Sequence, residues 1–233
     1  MMTLLFWDID GTLLTTGRAG IFAWEDACRE VTGCAVSFHA FKTDGLTDHQ
    51  IAQRIVAQTG GEAADTAFVE RLVRRYEDFL PGSLPKREGR VHPGVRQALE
   101  HFRAARPDVH SLLLTGNTAA GARAKLAHYG LDQYFEGGAF SEDVAPRSAI
   151  ARRALEAACA QFPQARAEAS LFVIGDTPHD IECARAIGAR AVAVATGVYS
   201  AIELAAHDPW QVLDEVPPPD VLERLLDGCA ADV

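Results

Sequence analysis

Residues 4–14 read LLFWDIDGTLL, an apolar run followed by two aspartates and a glycine. The run is apolar at every position, which is typical of a strand covered on both faces. Asp8 and Asp10 would point to opposite sides of an extended chain, so a turn beginning at Gly11 must bring them together. Crowded carboxylates repel one another unless a cation compensates them, and a divalent ion with oxygen ligands would do so. The alternative is an acidic surface turn, because Asp-x-Asp-Gly often occurs by chance.

The 233-residue chain has an ordinary globular composition, which allows one large domain or a core with a modest insertion. Its formal net charge of −10 argues against sequence-independent binding of nucleic acid, which needs clustered cations. Five scattered cysteines without a C-x-x-C pair are typical of reduced thiols. No apolar stretch is long enough to span a membrane. We therefore expect a cytoplasmic protein without nucleic-acid or membrane partners, and both a monomer and a homodimer are open.

Short apolar segments alternate with helical ones along the chain. The strand candidates are residues 3–7, 110–114, 171–174 and 191–195, with weaker candidates at 138–140 and 210–213. Helical segments fit between them at 93–105, 118–129, 146–161 and 178–187, several with proline at the start or glycine just past the end. This alternation predicts an α/β fold, a parallel sheet with helices on both faces.

About 100 residues separate the first two strands, far more than one crossover helix needs. Most of this segment has helical spacing of apolar residues, at 19–31, 48–59 and 66–80. We therefore predict a helical insertion at residues 15–88, with residues 1–14 and 89–233 forming the core. Its expected boundaries are Gly17 on one side and, on the other, the segment from the Pro-Gly-Ser run at 81–83 to Gly89.

Two more polar motifs follow candidate strands, at the sheet edge where open α/β folds bind ligands. Thr115, Gly116 and Asn117 follow the second strand, and their hydroxyl and amides suit phosphoryl oxygens. Asp176 and Asp180 follow the third strand. Each group has a structural alternative, since residues at these places also cap the helices that follow.

The segments 8–13, 115–117 and 175–180 resemble, in order, motifs of the haloacid dehalogenase superfamily of phosphohydrolases. The helical insertion is similar to the α-helical cap of that superfamily. The complete arrangement of core and insertion resembles the phosphoglycolate phosphatase-like members. The resemblance implies a Rossmann-like core with the first motif on a central strand.

The resemblance also implies roles for individual residues. Asp8 would attack phosphorus and become an aspartyl phosphate, while Asp10 would serve as general acid and then general base. Asp8 and Asp176 would bind Mg²⁺ through their carboxylates and Asp10 through its backbone carbonyl, with Asp180 supporting the metal. Thr115, with the amides of Gly116 and Asn117, would hold the phosphoryl group.

The sequence departs from the family at the third motif, where a lysine is usual. No lysine follows Lys125, and Arg147 is the expected substitute, because arginine supplies charge and binds phosphoryl oxygens bidentately. The structural alternative is a solvated arginine on the helix surface. Dehalogenases and phosphonatases of the superfamily lack the second aspartate, so the presence of Asp10 does not favour either chemistry.

We expect the irregular loop of the insertion to contact substrate through Lys42 and Thr43, together with Arg18. The alternative is that Thr47 and Asp48 cap the next helix and the loop is simply polar. The predicted activity is Mg²⁺-dependent hydrolysis of a small phosphorylated metabolite, with phosphoglycolate-like compounds or sugar phosphates as the best candidates. A phosphomutase of the β-phosphoglucomutase type and a non-catalytic phosphate-binding protein remain alternatives.

Overall fold

The computed structural model describes residues 2–38, 43–60, 65–165 and 169–228. Six parallel strands form the central sheet. In spatial order they are β5 (Gly138–Ala139), β4 (Val109–Leu114), β1 (Thr3–Trp7), β6 (Ser170–Gly175), β7 (Arg190–Val194) and β8 (Gln211–Leu213). The predicted parallel α/β sheet is confirmed, and β1 is one of its two central strands.

Side chains alternate between two cores on the two faces of β1. Leu5 and Trp7 pack on one face with helices α4 (Val95–Ala105), α5 (Ala119–Tyr129) and α9 (Pro219–Leu226). Leu4 and Phe6 pack on the other with α6 (Arg147–Gln161), α7 (Pro178–Ala186) and α8 (Ala201–Ala205). Burial on both faces explains why the strands read as unbroken apolar runs.

Three further helices pack around a third core, made by the segment predicted to be an insertion. They are α1 (Ala19–Thr32), α2 (Asp48–Gln58) and α3 (Thr66–Ser83). The rings of Trp24 and Tyr76 stack in this core with centroids 4.0 Å apart. The division of the chain at residues 15 and 88 stays a prediction. A two-stranded antiparallel ribbon joins the two ends of this segment, through β2 (Leu14–Thr15) and β3 (Arg90–Val91).

Helix α3 continues through Pro81 to Ser83, whereas the sequence predicts that this helix ends at residue 80. Two contacts favour continuation. Leu80 and Leu84 are both buried against the third core, and the Ser83 hydroxyl donates a hydrogen bond to the Ala19 carbonyl at 2.9 Å. Tertiary packing thus outweighs the backbone hydrogen bond that proline removes.

Short 3₁₀ turns at Leu84–Lys86 and Asp132–Tyr134 complete the regular structure of the described residues. The cysteines within these residues are free. No helix among the described residues has the length and apolarity needed to cross a membrane.

Candidate active site

Strands β4, β1 and β6 are neighbours, so the residues that follow them meet at one edge of the sheet. Asp8 comes directly after β1, Thr115 after β4 and Asp176 after β6. The Asp8 N–H donates to the Ile174 carbonyl at 3.0 Å, which continues the β1–β6 ladder into the site. Parallel register therefore assembles residues that are more than 160 positions apart in the sequence.

Three buried carboxylates form the centre of the site. Asp8, Asp176 and Asp180 each offer an oxygen, and these atoms all lie within 4.8 Å of one another. Burial raises the pKa of Asp8 to about 6, although the Arg147 guanidinium opposes the rise. Burial, with Asp180 and Asp8 nearby, also holds the pKa of Asp176 well above its ordinary value.

Arg147 is the cation of this cluster. Its Nη2 atom lies 2.5 Å from an Asp180 oxygen and 3.2 Å from an Asp8 oxygen, and the side chain is 7% exposed. The sequence placed Arg147 in the site, and the structure brings it there from the first turn of α6 rather than leaving it on the helix surface. One guanidinium cannot balance three carboxylates, so a hard divalent cation fits the remaining charge and the oxygen donors.

Two glycines make room for the Asp176 carboxylate. A Cβ atom on Gly11 would lie 2.2 Å from Asp176 Oδ2, and one on Gly197 would lie 1.8 Å from it. Gly11 also has φ +83°, a conformation that L side chains rarely adopt. The Thr12 hydroxyl donates to Asp176 Oδ1 at 2.8 Å, which orients this carboxylate toward Asp8.

Asp10 has different surroundings from Asp8, since its side chain is 43% exposed. Its Oδ2 atom accepts hydrogen bonds from Asn117 Nδ2 at 2.8 Å and from Lys125 Nζ at 2.5 Å. Asn117 Nδ2 also donates to the Thr115 hydroxyl at 2.8 Å. The backbone N–H of Asn117 donates to the same hydroxyl at 3.3 Å, so Asn117 links the Thr115 hydroxyl to the Asp10 carboxylate.

Sequence reasoning missed Lys125. It lies on α5, where Gly121, Ala122 and Leu126 are also buried, and its own exposure is only 4%. The available signal was helical spacing, because positions three and four residues apart share a face. A lysine on the buried face of a helix needs a partner, and the helix begins just after Asn117.

The helical segment contacts the core at the Thr115 motif. The Asp48 N–H donates to the Gly116 carbonyl, and an Asp48 oxygen accepts from the Thr118 N–H, both at 2.8 Å. Burial raises the pKa of Asp48 to about 7, although Lys125 and this hydrogen bond oppose the rise. A Cβ atom on Gly116 would lie 2.7 Å from the Leu46 carbonyl oxygen, so the loop before α2 packs directly on this glycine.

The helix-capping alternatives also hold in part. Thr47 makes a capping box with Gln50 at the start of α2, which agrees with the helix-capping alternative for this loop. Thr118 caps α5, and Thr177 with Asp180 makes a capping box at α7, so Asp180 serves the helix and the acidic cluster together.

A cavity of about 460 Å³ lies between the helical segment and the sheet edge. Asp8, Asp10, Thr115, Arg147 and Asp176 line its floor, together with Gly116 and Asn117. Arg18 and Thr43 line it from the other side, as do Trp24, Tyr76, Arg90 and His92. Lys42, the other predicted contact, lies outside the described residues.

The fold and this strand-end site define a class of hydrolase. The family model of haloacid dehalogenase-like hydrolases matches residues 5–185, and a second, HAD-hydrolase-like model matches residues 145–226. The chain therefore belongs to the haloacid dehalogenase-like hydrolases.

One curated protein and several solved structures are similar to this chain over most of its length. The "Probable phosphatase IndB" of Dickeya dadantii (strain 3937) is 28% identical over 216 residues, which cover 92% of this chain and 90% of the relative. A predicted phosphoglycolate phosphatase of Haemophilus somnus 129PT shares the fold with a TM-score of 0.70 at 20% identity, covering 96% of this chain and 98% of that one. A Thermotoga maritima protein provisionally described as a β-phosphoglucomutase has a TM-score of 0.62 at 18% identity, covering 96% and 100%.

Proposed function

We propose that the protein is a Mg²⁺-dependent phosphatase of small phosphomonoesters, with Asp8 as nucleophile. The observation that carries the proposal is the unequal environment of the two aspartates after β1. Asp8 is buried beside Arg147 and two further carboxylates, whereas Asp10 is half-exposed and held by Asn117 and Lys125. Two carboxylates in such different surroundings suit different roles, one ionised and one cycling a proton.

In the proposed reaction an Asp8 oxygen attacks phosphorus, and the bond from phosphorus to the leaving oxygen breaks. Asp10 gives its proton to that oxygen, so the alcohol departs neutral and an aspartyl phosphate remains. Asp10 then takes a proton from water, and the water oxygen attacks phosphorus. The bond from phosphorus to the Asp8 oxygen breaks, which regenerates the Asp8 carboxylate and gives inorganic phosphate.

Mg²⁺ would be held by the carboxylates of Asp8 and Asp176 and by the backbone carbonyl of Asp10, with Asp180 in support. When bound, it would supply positive charge that offsets the negative charge of the phosphoryl group during transfer. Arg147 adds a fixed positive charge beside Asp8. The Thr115 hydroxyl and the N–H groups of Gly116 and Asn117 would donate hydrogen bonds to the phosphoryl oxygens.

The leaving group would lie in the cavity under the helical segment, residues 15–88, which we propose acts as a cap that excludes water during transfer. Arg18 and Thr43 line the cavity on that side, and with Lys42 they are the proposed substrate contacts. Cationic and polar walls suit a small hydrophilic leaving group, such as that of a phosphoglycolate-like compound or a sugar phosphate. A cytoplasmic location remains a prediction from the scattered cysteines.

Phosphate release from a panel of small phosphomonoesters, with and without Mg²⁺, tests this proposal. We expect Mg²⁺-dependent release, and a loss on the order of 10⁴–10⁶-fold in kcat for Asp8→Asn, as when members of a catalytic triad are removed. Asp26→Asn is the control, because Asp26 is exposed on α1. Conversion of a hexose phosphate to an isomer without phosphate release would instead indicate a mutase, and phosphate binding without turnover a non-catalytic protein.

A further inference from the structure

Lys125 has no part in the reaction proposed above, yet it is one of only three lysines in the chain and its side chain is 5% exposed. Removing an ammonium group from water costs several kcal/mol unless it is paired and hydrogen-bonded. A lysine is therefore rarely retained at such a position by packing alone. The partners of its Nζ atom indicate what it does.

Lys125 closes a small ring of polar side chains. Its Nζ atom lies 2.5 Å from Asp10 Oδ2 and 2.5 Å from Asn117 Oδ1, and Asn117 Nδ2 returns to Asp10 Oδ2 at 2.8 Å. Asp10 Oδ2 thus receives two donors at once, and both donors are themselves buried. Such a ring fixes the torsion of the Asp10 side chain and leaves Oδ1 to exchange a proton.

The two buried cations of the site serve different aspartates. Arg147 contacts Asp8 and Asp180, whereas Lys125 forms an ion pair with Asp10. Lys125 comes from α5, on the opposite face of the sheet from the α6 helix that carries Arg147. The nucleophile and the proton carrier are therefore each paired with a different cation.

We propose that Lys125 is a positioning residue that holds Asp10 in the orientation for proton transfer to the leaving oxygen. The proposal rests on the proposed function, in which Asp10 is the general acid. A purely structural role, such as neutralising the nearby Asp48, would make Lys125 matter equally for every substrate. A role through Asp10 makes it matter most when the leaving oxygen needs a proton.

The test compares kcat/KM for p-nitrophenyl phosphate and for an alkyl monoester such as glycerol 2-phosphate. The nitrophenolate anion is stable enough to leave without a proton. The oxygen of an alkyl ester must be protonated as it leaves, because an alkoxide is a strong base. For Lys125→Met we expect the alkyl ester to lose on the order of 10² more than the nitrophenyl ester, at the lower end of general-acid contributions. Lys125→Arg should recover part of the difference, and Lys86→Met, which removes an exposed lysine, should behave as wild type.

A double-mutant comparison separates this role from a loss of folded protein. In the Asp10→Asn background, adding Lys125→Met should change kcat/KM for the alkyl ester by less than about twofold, because the residue through which Lys125 acts is already disabled. Equal losses on the two esters, or additive losses in the double variant, would overturn the proposal. If wild-type protein releases phosphate neither from these esters nor from the panel of small phosphomonoesters, the proposed function itself fails.

Discussion

Replacing Arg147 by methionine removes the cation that faces the acidic cluster, and its cost can be worked out from the contacts. Nη2 lies 3.2 Å from Asp8 and 2.5 Å from Asp180. At an effective dielectric constant of about 20, a pair of unit charges 3.2 Å apart is worth about 5 kcal/mol. Breaking a buried ion pair from one side typically costs about 3–5 kcal/mol, because the other charge is left unpaired. We therefore expect Arg147→Met to lower the free energy of unfolding by about 3–5 kcal/mol.

The deficit should depend on pH and on Mg²⁺. Because burial already raises the pKa of Asp8 to about 6, protons neutralise the cluster as the pH falls below that value, and the deficit should shrink. Without the guanidinium the cluster is more negative, so Mg²⁺ should bind the variant more tightly than wild type. At saturating Mg²⁺ and pH 8, each tenfold gain in affinity should reduce the deficit by about 1.4 kcal/mol.

Urea unfolding at pH 8 with a chelator, then with Mg²⁺, measures these effects. Arg152→Met is the matched control, since Arg152 is exposed on the same helix. An Arg147→Met variant within about 1 kcal/mol of that control, in the chelator at pH 8, would refute the reasoning that the guanidinium neutralises the cluster.

Two further predictions concern the contact between the helical segment and the core. The pKa of Asp48 is raised to about 7, so between about pH 4 and 7 the folded state binds the extra proton, and the stability from Asp48 is lost as the pH rises. Asp48→Asn should therefore gain stability relative to wild type between pH 4 and 8, by at most roughly 4 kcal/mol; a difference independent of pH in thermal melts would contradict this. Gly116→Ala places a methyl against the Leu46 carbonyl and should cost about 1–3 kcal/mol in urea unfolding and weaken turnover. Gly82→Ala is the control, because among the described residues nothing beyond its own chain neighbours and helix backbone lies within 4 Å of the added Cβ. Equal behaviour of the two variants would count against the contact.

Much of the core follows from local sequence signals. The unbroken apolar run before Asp8 and the proline and glycine at the ends of helical segments reflect burial and capping, which act within a few residues. Helix α3 departs from this pattern, because its course through Pro81 depends on Leu84 and Ser83 contacting helix α1 and the third core. Such contacts join distant parts of the chain, so local propensity does not reveal them.

The site likewise contains residues that local sequence predicts and residues that depend on tertiary contacts. The motifs with Asp8, Thr115 and Asp176 could be found because strand ends in a parallel sheet share one edge. The helical spacing of α5 indicates that Lys125 is buried, but its contact with Asp10 depends on how α5 lies against the sheet. The sequence indicates only a possible helix cap at Asp48. Its hydrogen bonds to Gly116 and Thr118 form between the helical segment and the core, so local sequence does not reveal them.

The central claim is that Asp8 carries the phosphoryl group during turnover. Wild-type protein mixed with p-nitrophenyl phosphate and Mg²⁺ is quenched in acid within one turnover, digested with pepsin at the same low pH and analysed by mass spectrometry. We expect one phosphoryl group on the peptide that contains Asp8, located at Asp8 and absent from Asp8→Asn. Release of nitrophenol with no phosphoryl group on that peptide, or with the group on another residue, would contradict it.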